Sequence, residues 1–316
     1  MPERTPHLIF PGGDRMPAIG LGSCHPTRVD GAAVVRTALA LGYRHLDCAS
    51  FYGNEGEIGT AIRQSIAAGV VRRDQLWITS KLWNDCHAPQ HVRPALERSL
   101  RNLQVDHLDL YLIHWPAAHR PGVTLPSGPQ DLIPLEEIPL AATWGAMEAL
   151  VEAGLVRRIG VSNVTAPKLA ALLEHARLPP ALNQVERHPY LQQRELLQFC
   201  RDRGVLVTAY APLGSPAPGQ GLASLLQDPA VTSIAAAHGV SAARVLLAWG
   251  LAWGTAVIPK SVHRERLADN LAAADLSLSA EEMGQLAALD RGERLFDGGF
   301  LQFPGGPYSA SSLWEA

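Results

Sequence analysis

Cysteine is scarce in this chain of 316 residues, which has four cysteines and no CxxC pair. They are scattered along the sequence as Cys24, Cys48, Cys86 and Cys200. Small secreted folds depend on dense disulfide frameworks, whereas scattered cysteines in a chain of this length are typical of reduced thiols in the cytosol. The cysteine content therefore excludes a disulfide scaffold and predicts a cytoplasmic protein.

Long apolar runs and an excess of one charge are also lacking. No apolar run reaches the roughly 20 residues that cross a bilayer, and residues 1–14 have no apolar core of the kind found in signal peptides. The 27 basic and 30 acidic side chains give a formal net charge of -3. Nucleic-acid binding normally needs a basic face. We therefore expect a small-molecule substrate, and neither a membrane nor a nucleic acid as partner.

What the sequence does contain is a regular alternation of short β-rich runs and amphipathic helical stretches. The predicted strands cover residues 18–21, 43–46, 76–80, 108–113, 155–161, 181–185, 205–209 and 256–258. The predicted helices cover residues 31–41, 55–68, 89–103, 139–153, 166–176, 192–203, 241–251 and 264–273, with an additional helix over 279–289. Gly42 and Gly204 follow two of these helices as left-handed caps, and Ser279 begins a capping box.

Eight strand–helix units in one series predict parallel strands with helical crossovers. A closed (β/α)8 TIM barrel and an open doubly wound sheet both fit this order. We favour the barrel because no dinucleotide glycine fingerprint follows the first strand. The α/β fold is therefore expected to be one domain over residues 1–316, preceded by an N-terminal β-hairpin around Gly12 and Gly13. Residues 117–138, 212–228 and 291–316 are predicted to be irregular, and the first two form long loops at the C-terminal rim.

Polar side chains stand where the predicted strands end, which is where barrel enzymes place their reacting groups. Asp47 ends the second strand, and Tyr52 lies in the loop that follows it. Lys81 ends the third strand, and His114 ends a largely apolar fourth strand. Later strand ends supply Ser162, Asn163, Gln184, Tyr210, Lys260 and Ser261. We expect the first four side chains to converge on one point.

These four groups suit proton donation to a carbonyl oxygen. A free phenol donates a proton poorly at neutral pH, and a nearby ammonium lowers its pKa. We therefore expect Lys81, held by Asp47, to lower the pKa of Tyr52 and make it a general acid. His114 would orient the carbonyl. The set lacks a serine or cysteine nucleophile, so it favours hydride delivery from a nicotinamide, with Tyr210 stacked on that ring and Ser162, Asn163 and Gln184 at its carboxamide.

The sequence resembles the aldo-keto reductases along nearly its whole length, most closely the aldose and xylose reductases. Residues 42–47 (GYRHLD) and 52–55 (YGNE) are similar to the first signature of that family. Residues 159–163 (IGVSN), 183–186 (NQVE), 188–190 (HPY) and 258–261 (IPKS) are similar to later signatures in the same order. The resemblance implies that the family's catalytic tetrad falls on Asp47, Tyr52, Lys81 and His114.

The resemblance also implies an extended NADPH site across the rim. Lys260, Ser261 and Arg266 match contacts of the 2′-phosphate, which suits two cations and a hydroxyl. NADPH is therefore predicted as the cofactor, and NADH as a secondary one stays open. The implied cofactor contacts are Gly22, Ser23, Cys24, Asp47, Ser162, Asn163, Gln184, Tyr210, Ala211, Pro212, Leu213, Ser215, Lys260, Ser261, Arg266, Asp269 and Asn270.

The predicted substrate pocket is aromatic. Phe51, Trp83, His114 and Trp115 follow the catalytic strands and are expected to line it. The family often has tryptophan where this chain has Cys24, so one aromatic wall is missing or replaced. Residues 296–316 follow no specificity pattern.

Two other functions remain open at the level of sequence. A metal-dependent barrel hydrolase would use Asp47, His114 and His188, but Lys81 and the phosphate-binding residues favour the reductase. His87 and His91 have a metal-compatible spacing without a carboxylate partner, and we predict no metal site. A reductase-like barrel that only binds a nucleotide is the second alternative. Monomer and homodimer are both open.

Overall fold

The structure is a computed structural model that describes residues 6–24, 30–214 and 225–315. Its strands are β1 His7–Ile9, β2 Arg15–Pro17, β3 Leu21–Gly22, β4 His45–Asp47, β5 Trp77–Leu82, β6 Leu108–Ile113, β7 Ala118–His119, β8 Leu132–Ile133, β9 Val156–Ser162, β10 Leu182–Glu186, β11 Leu206–Tyr210 and β12 Ala256–Val257. Its helices are α1 Gly31–Leu41, α2 Glu55–Ala67, α3 Pro89–Leu103, α4 Leu140–Glu152, α5 Ala166–His175, α6 Arg194–Asp202, α7 Pro229–His238, α8 Ala242–Ala252, α9 Arg264–Leu271, α10 Ala280–Ala287 and α11 Ala310–Trp314.

Eight parallel strands form the sheet, in the order β12-β11-β10-β9-β6-β5-β4-β3. A parallel bridge between Ile19 and Val257 joins its two edges. There the Gly20 N–H donates to the Val257 carbonyl at 2.9 Å, and the Val257 N–H donates to the Ala18 carbonyl at 2.8 Å. This closure confirms the predicted (β/α)8 barrel over the open sheet.

The N-terminal hairpin covers one end of the barrel. Strands β1 and β2 pair in antiparallel fashion, as predicted. Phe10 stacks on Trp77 with ring centroids 5.2 Å apart. Met16 is fully buried in the same apolar cluster, next to Leu110 and Leu112 of the barrel strand β6. The hairpin therefore removes barrel-interior side chains from water, which is a favourable apolar burial.

The predicted strand and helix series is confirmed, with small differences at the ends. The largest strand difference is at the first barrel strand, predicted from residue 18 and observed from Leu21. Gly42 and Gly204 adopt left-handed backbone angles, with φ of 111° and 69°, and Ser279 forms the predicted capping box with Glu282.

Two helices and one β-ribbon were not predicted. Helix α7 has its signals in the sequence, because Asp228 caps its start, Pro229 is at N1 and Gly239 ends it in a left-handed conformation. Its apolar residues do not form a clear stripe along one face of the helix, so hydrophobic periodicity does not indicate it. Strands β7 and β8 pair inside the segment 117–138 that was predicted to be irregular, and α11 lies in the C-terminal tail.

Within the described ranges, no helix by itself has the length and hydropathy of a membrane span. Helices α7 and α8 reach those values only as a pair, across a bend of 96°.

Candidate active site

The predicted tetrad comes together at the C-terminal end of three adjacent strands. Asp47 ends β4 and Lys81 is the penultimate residue of β5. His114 follows β6 directly, and Tyr52 ends a 3-10 turn just after β4. The order β4-β5-β6 in the sheet brings the carboxyl ends of these strands side by side. The convergence therefore follows from parallel pairing, as the sequence predicts.

The centre of the site is a buried ion pair. The Lys81 Nζ donates to the Asp47 Oδ1 at 2.5 Å and to the Cys48 carbonyl at 2.9 Å. The Gln184 Nε2 donates to the other Asp47 oxygen at 2.6 Å. The side chains of Lys81 and Asp47 are 0% and 2% exposed. Both charges thus lack water and depend on each other and on these partners.

Tyr52 lies against this pair, and its pKa moves in the direction opposite to the prediction. The Lys81 Nζ is 5.3 Å from the Tyr52 ring centroid. Burial, followed by the negative charge of Asp47, holds the pKa of Tyr52 well above its ordinary value. The expected lowering by Lys81 is wrong because burial, which disfavours a phenolate, and the negative charge of Asp47 together outweigh the effect of the ammonium on the phenol. Tyr52 therefore keeps its proton at neutral pH.

His114 is the second polar ring of the site. Its ring centroid is 5.8 Å from that of Tyr52. Burial, followed by the charge of Lys81, holds the pKa of His114 well below its ordinary value. Its Nδ1 is buried without a hydrogen-bond partner among the described residues. An unpartnered lone pair costs less than an unpartnered N–H, so we assign the proton of the neutral ring to Nε2.

We expect His114 to remain neutral between about pH 5 and 8, the range in which an unperturbed histidine titrates. The measurement is a pH titration by long-range 15N–1H NMR, with the resonances of His114 identified by their loss in His114→Gln. A midpoint near the unperturbed value of about 6.5 would contradict the assigned neutral state.

The residues predicted around the nicotinamide lie beside the tetrad and bond to one another. The Ser162 Oγ donates to the Gln184 carbonyl at 2.8 Å. The Asn163 Nδ2 donates to the His114 carbonyl at 2.9 Å, and its Oδ1 accepts from the Tyr210 hydroxyl at 2.7 Å. Asn163 has a left-handed backbone with φ of 60°, which asparagine tolerates better than most residues. This network fixes Asn163 and Tyr210 next to His114.

The residues predicted for the remainder of the cofactor lie near the junction of the first and last barrel strands. A side chain at Gly22 would place its Cβ 2.8 Å from the Ile258 carbonyl oxygen and 3.5 Å from the Lys260 Cβ. Only glycine fits this close approach. Lys260 and Arg266 are exposed, whereas Ser261 and Asn270 are buried.

The other predicted cofactor residues differ in burial and in backbone conformation. Ser23 is buried, and its N–H donates to the Asp47 carbonyl at 3.1 Å. Cys24 is exposed. After β11, Ala211 has a left-handed φ of 46° and is followed by Pro212 and Leu213. Ser215 lies outside the described residues.

The side chain of Asp269 is bound by two other side chains, which the sequence did not indicate. It forms an ion pair with Arg244 of α8 at 2.6 Å and accepts a hydrogen bond from Ser241. A pairing of residues 25 positions apart has no local sequence signal, since it depends on the packing of α8 against α9.

An aromatic cluster forms one side of the site, and the sequence predicted only part of it. Phe51 stacks on Trp83 at 3.9 Å between centroids. Trp115 contacts the ring of Phe300 at 5.3 Å and that of Trp314 at 5.8 Å. Phe300 and Trp314 come from the C-terminal tail, for which no pattern was identified. Their only signal was aromatic character in a segment rich in glycine, proline and serine.

The geometry does not favour the metal-hydrolase alternative. That alternative needs Asp47, His114 and His188 around one ion. The His188 Nε2 instead donates to Glu186 at 2.8 Å. Over the ranges 6–24, 30–214 and 225–315, no three His, Cys, Asp or Glu side chains are arranged to hold a metal ion.

Comparisons with known proteins agree with the barrel fold. The sequence model of the Aldo/keto reductase family matches residues 18–291. The chain is 50% identical over 308 residues to an aldo/keto reductase of Synechocystis sp., covering 96% of this chain and 94% of that protein. It is 43% identical over 294 residues to aldo-keto reductase family 1 member A1 of Rattus norvegicus, covering 91% and 90% of the two chains. The solved structure of an aldose reductase from Schistosoma japonicum superposes with a TM-score of 0.85 at 40% identity, covering 92% of this chain and 94% of that one.

Proposed function

Because the chain belongs to the aldo/keto reductase family, and is thus an NAD(P)H-dependent oxidoreductase acting on carbonyl groups, we propose that it reduces an aldehyde, aldose or ketone with Tyr52 as the proton donor. NADPH is the proposed cofactor, and when bound it supplies the hydride that reaches the carbonyl carbon. The observation that carries the proposal is the set of buried Lys81, Asp47 and His114 with half-buried Tyr52 beside them at one end of the barrel.

The residues present fit a phosphorylated dinucleotide. Exposed Lys260 and Arg266 offer positive charge for a 2′-phosphate, and arginine binds phosphate bidentately. Gly22 provides a surface without a side chain beside Lys260. Ser162, Asn163 and Gln184 offer hydroxyl and amide groups next to the catalytic side chains. We assign Tyr210 as the platform for the nicotinamide.

Tyr52 supplies the proton as negative charge develops on the carbonyl oxygen. A developing alkoxide is a far stronger base than a phenolate, so a phenol with a raised pKa still donates to it. His114, neutral and protonated at Nε2, donates a hydrogen bond to the same oxygen and orients the carbonyl. After transfer, the Lys81 ammonium 5.3 Å from the Tyr52 ring stabilises the phenolate, and Asp47 holds Lys81 in place.

A substrate panel tests the proposal. We expect NADPH absorbance to fall when the protein is mixed with at least one of a set of aldehydes, aldoses and ketones, and to do so in the presence of EDTA. Absence of turnover with every carbonyl compound, combined with tight NADPH binding, would instead favour the nucleotide-binding barrel. Turnover abolished by EDTA would favour the metal-dependent alternative.

The cofactor preference is tested at Arg266. In Arg266→Ala we expect the ratio of NADPH to NADH affinity to fall by about 10- to 100-fold, because one charged hydrogen-bonding group contributes about 1.5–3 kcal/mol. Both affinities are measured by fluorescence titration. Arg264→Ala is the matched control, since Arg264 is an exposed arginine on the same helix and should leave the ratio unchanged. An unaltered ratio in Arg266→Ala would contradict the assigned phosphate contact.

A further inference from the structure

Glu186 is a buried carboxylate for which the proposed chemistry has no use. It is the last residue of β10, and its side chain is 0% exposed. Its Oε1 accepts from the Leu295 N–H at 2.8 Å, and its Oε2 accepts from the Phe296 N–H at 2.9 Å. The His188 Nε2 also donates to Oε1 at 2.8 Å. Two of its three partners therefore belong to the C-terminal tail.

The anchored point of the tail leads directly into the active site. Phe296 packs edge-on against Tyr210, with ring centroids 5.5 Å apart. Four residues further on, Phe300 stacks on Trp83 at 6.0 Å and contacts Trp115. The backbone held by Glu186 thus leads directly into the segment whose aromatic side chains meet the barrel.

Contacts within the tail join the residues on either side of the Glu186-bound backbone to Trp314. The Arg294 guanidinium lies 3.7 Å from the Trp314 ring centroid, and the Trp314 Nε1 donates to the Asp297 carbonyl at 2.7 Å. Trp314 in turn contacts Trp115. A shift at Leu295 and Phe296 would therefore be transmitted to both tail aromatics, Phe300 and Trp314.

We propose that Glu186 is a specificity-determining positioning residue, which holds the C-terminal tail so that Phe300 and Trp314 complete the aromatic side of the substrate pocket. The inference rests on the proposed function for its substrate readout. A bulky aryl aldehyde uses this aromatic surface, whereas a small aliphatic aldehyde needs only the tetrad. Glu186 consequently affects the binding of large substrates and not the chemical step.

Glu186→Gln tests the anchor directly. The neutral amide keeps the shape of the side chain but has one acceptor oxygen, and its NH2 group faces an N–H donor. The peptide bond between Arg294 and Leu295 is a tryptic site whose N–H is one of the two held by Glu186. We expect trypsin to cleave it about tenfold faster in the variant than in the unsubstituted protein, as the loss of one charge-assisted hydrogen bond implies.

Kinetics supply the second readout. We expect the KM for naphthaldehyde to rise about tenfold in Glu186→Gln, by the same loss of one charge-assisted bond, while kcat and the KM for propanal stay near their unsubstituted values. Glu293→Gln is the matched control, because Glu293 lies on the same tail and pairs only loosely with Arg291 at 3.8 Å. It should change neither the cleavage rate nor KM.

The outcomes separate the anchor from the reductase function. Unchanged cleavage at Arg294, or a KM increase of equal size for both aldehydes, would overturn the role of Glu186. If no carbonyl compound is reduced by the unsubstituted protein, the proposed function fails, yet the proteolysis result still decides whether the tail is held. Should Glu186→Gln not fold, Glu186→Asp keeps the charge, draws the carboxylate back by one methylene and should shift both readouts in the same direction.

Discussion

Replacing Tyr52 by phenylalanine is expected to lower kcat by about two to four orders of magnitude, the contribution that a positioned general acid makes to a rate. The substitution removes one oxygen and keeps the ring that packs beside Lys81 and His114. NADPH affinity should therefore change little. The measurements are steady-state NADPH oxidation with the best carbonyl substrate and a fluorescence titration of NADPH.

Tyr111→Phe is the matched control for this experiment. Tyr111 is fully buried in β6, next to the catalytic strand β5, and its hydroxyl has no hydrogen-bond partner among the described residues. Tyr111→Phe removes the same atom from a neighbouring part of the barrel without touching the proposed chemistry. A near-normal kcat in Tyr52→Phe, or an equal loss in both variants, would show that Tyr52 is not the proton donor.

The second large effect is expected from Lys81→Met, which should cost about 3–5 kcal/mol in the free energy of unfolding, because it leaves a buried charge without its partner. Asp47 would keep Gln184 as a donor but would lose the ammonium at 2.5 Å. Activity should fall as well, since the Tyr52 phenolate formed after proton transfer would lose its nearest cation. Urea denaturation and NADPH oxidation measure the two losses separately.

The double variant Asp47→Asn/Lys81→Met distinguishes the two roles of the pair. Removing both charges takes away the uncompensated carboxylate, so most of the stability should return, whereas the rate should remain low. Arg93→Met is the control for loss of an exposed ion pair, because Arg93 and Glu97 are largely exposed, and a change within about 1 kcal/mol is expected. A Lys81→Met protein as stable as the unsubstituted one would contradict the account of the pair.

The family resemblance and the strand-end rule located the tetrad because both depend on short-range order along the chain. Active-site residues of barrel enzymes lie at the carboxyl ends of the strands, so Asp47, Lys81 and His114 were predictable from their positions along the chain. The tail aromatics were not. Phe300 and Trp314 meet Trp115 through contacts between groups far apart in the chain. Glu186 binds the backbone of the same tail at Leu295 and Phe296.

Charge effects likewise divide into those that the sequence predicts and those that only the folded structure shows. The identity of Tyr52 as a candidate acid followed from its neighbours in sequence, but the direction of its pKa shift did not. That direction is a sum over burial and all nearby charges. It is upward because burial, followed by the charge of Asp47, outweighs the cation that was expected to act on the phenol. Likewise, the partner of Asp269 is Arg244 on another helix, which no local pattern indicates.

The sequence by itself determined the order of eight strand–helix units, the hairpin before them and the polar residues at the strand ends, since hydrophobic periodicity and local motifs are properties of neighbouring residues. Only the tertiary structure decided that the sheet closes between Ile19 and Val257, that the tail supplies part of the aromatic wall, and that Tyr52 remains a high-pKa phenol. Each of these depends on groups far apart in the chain, whose distances and burial exist only after folding.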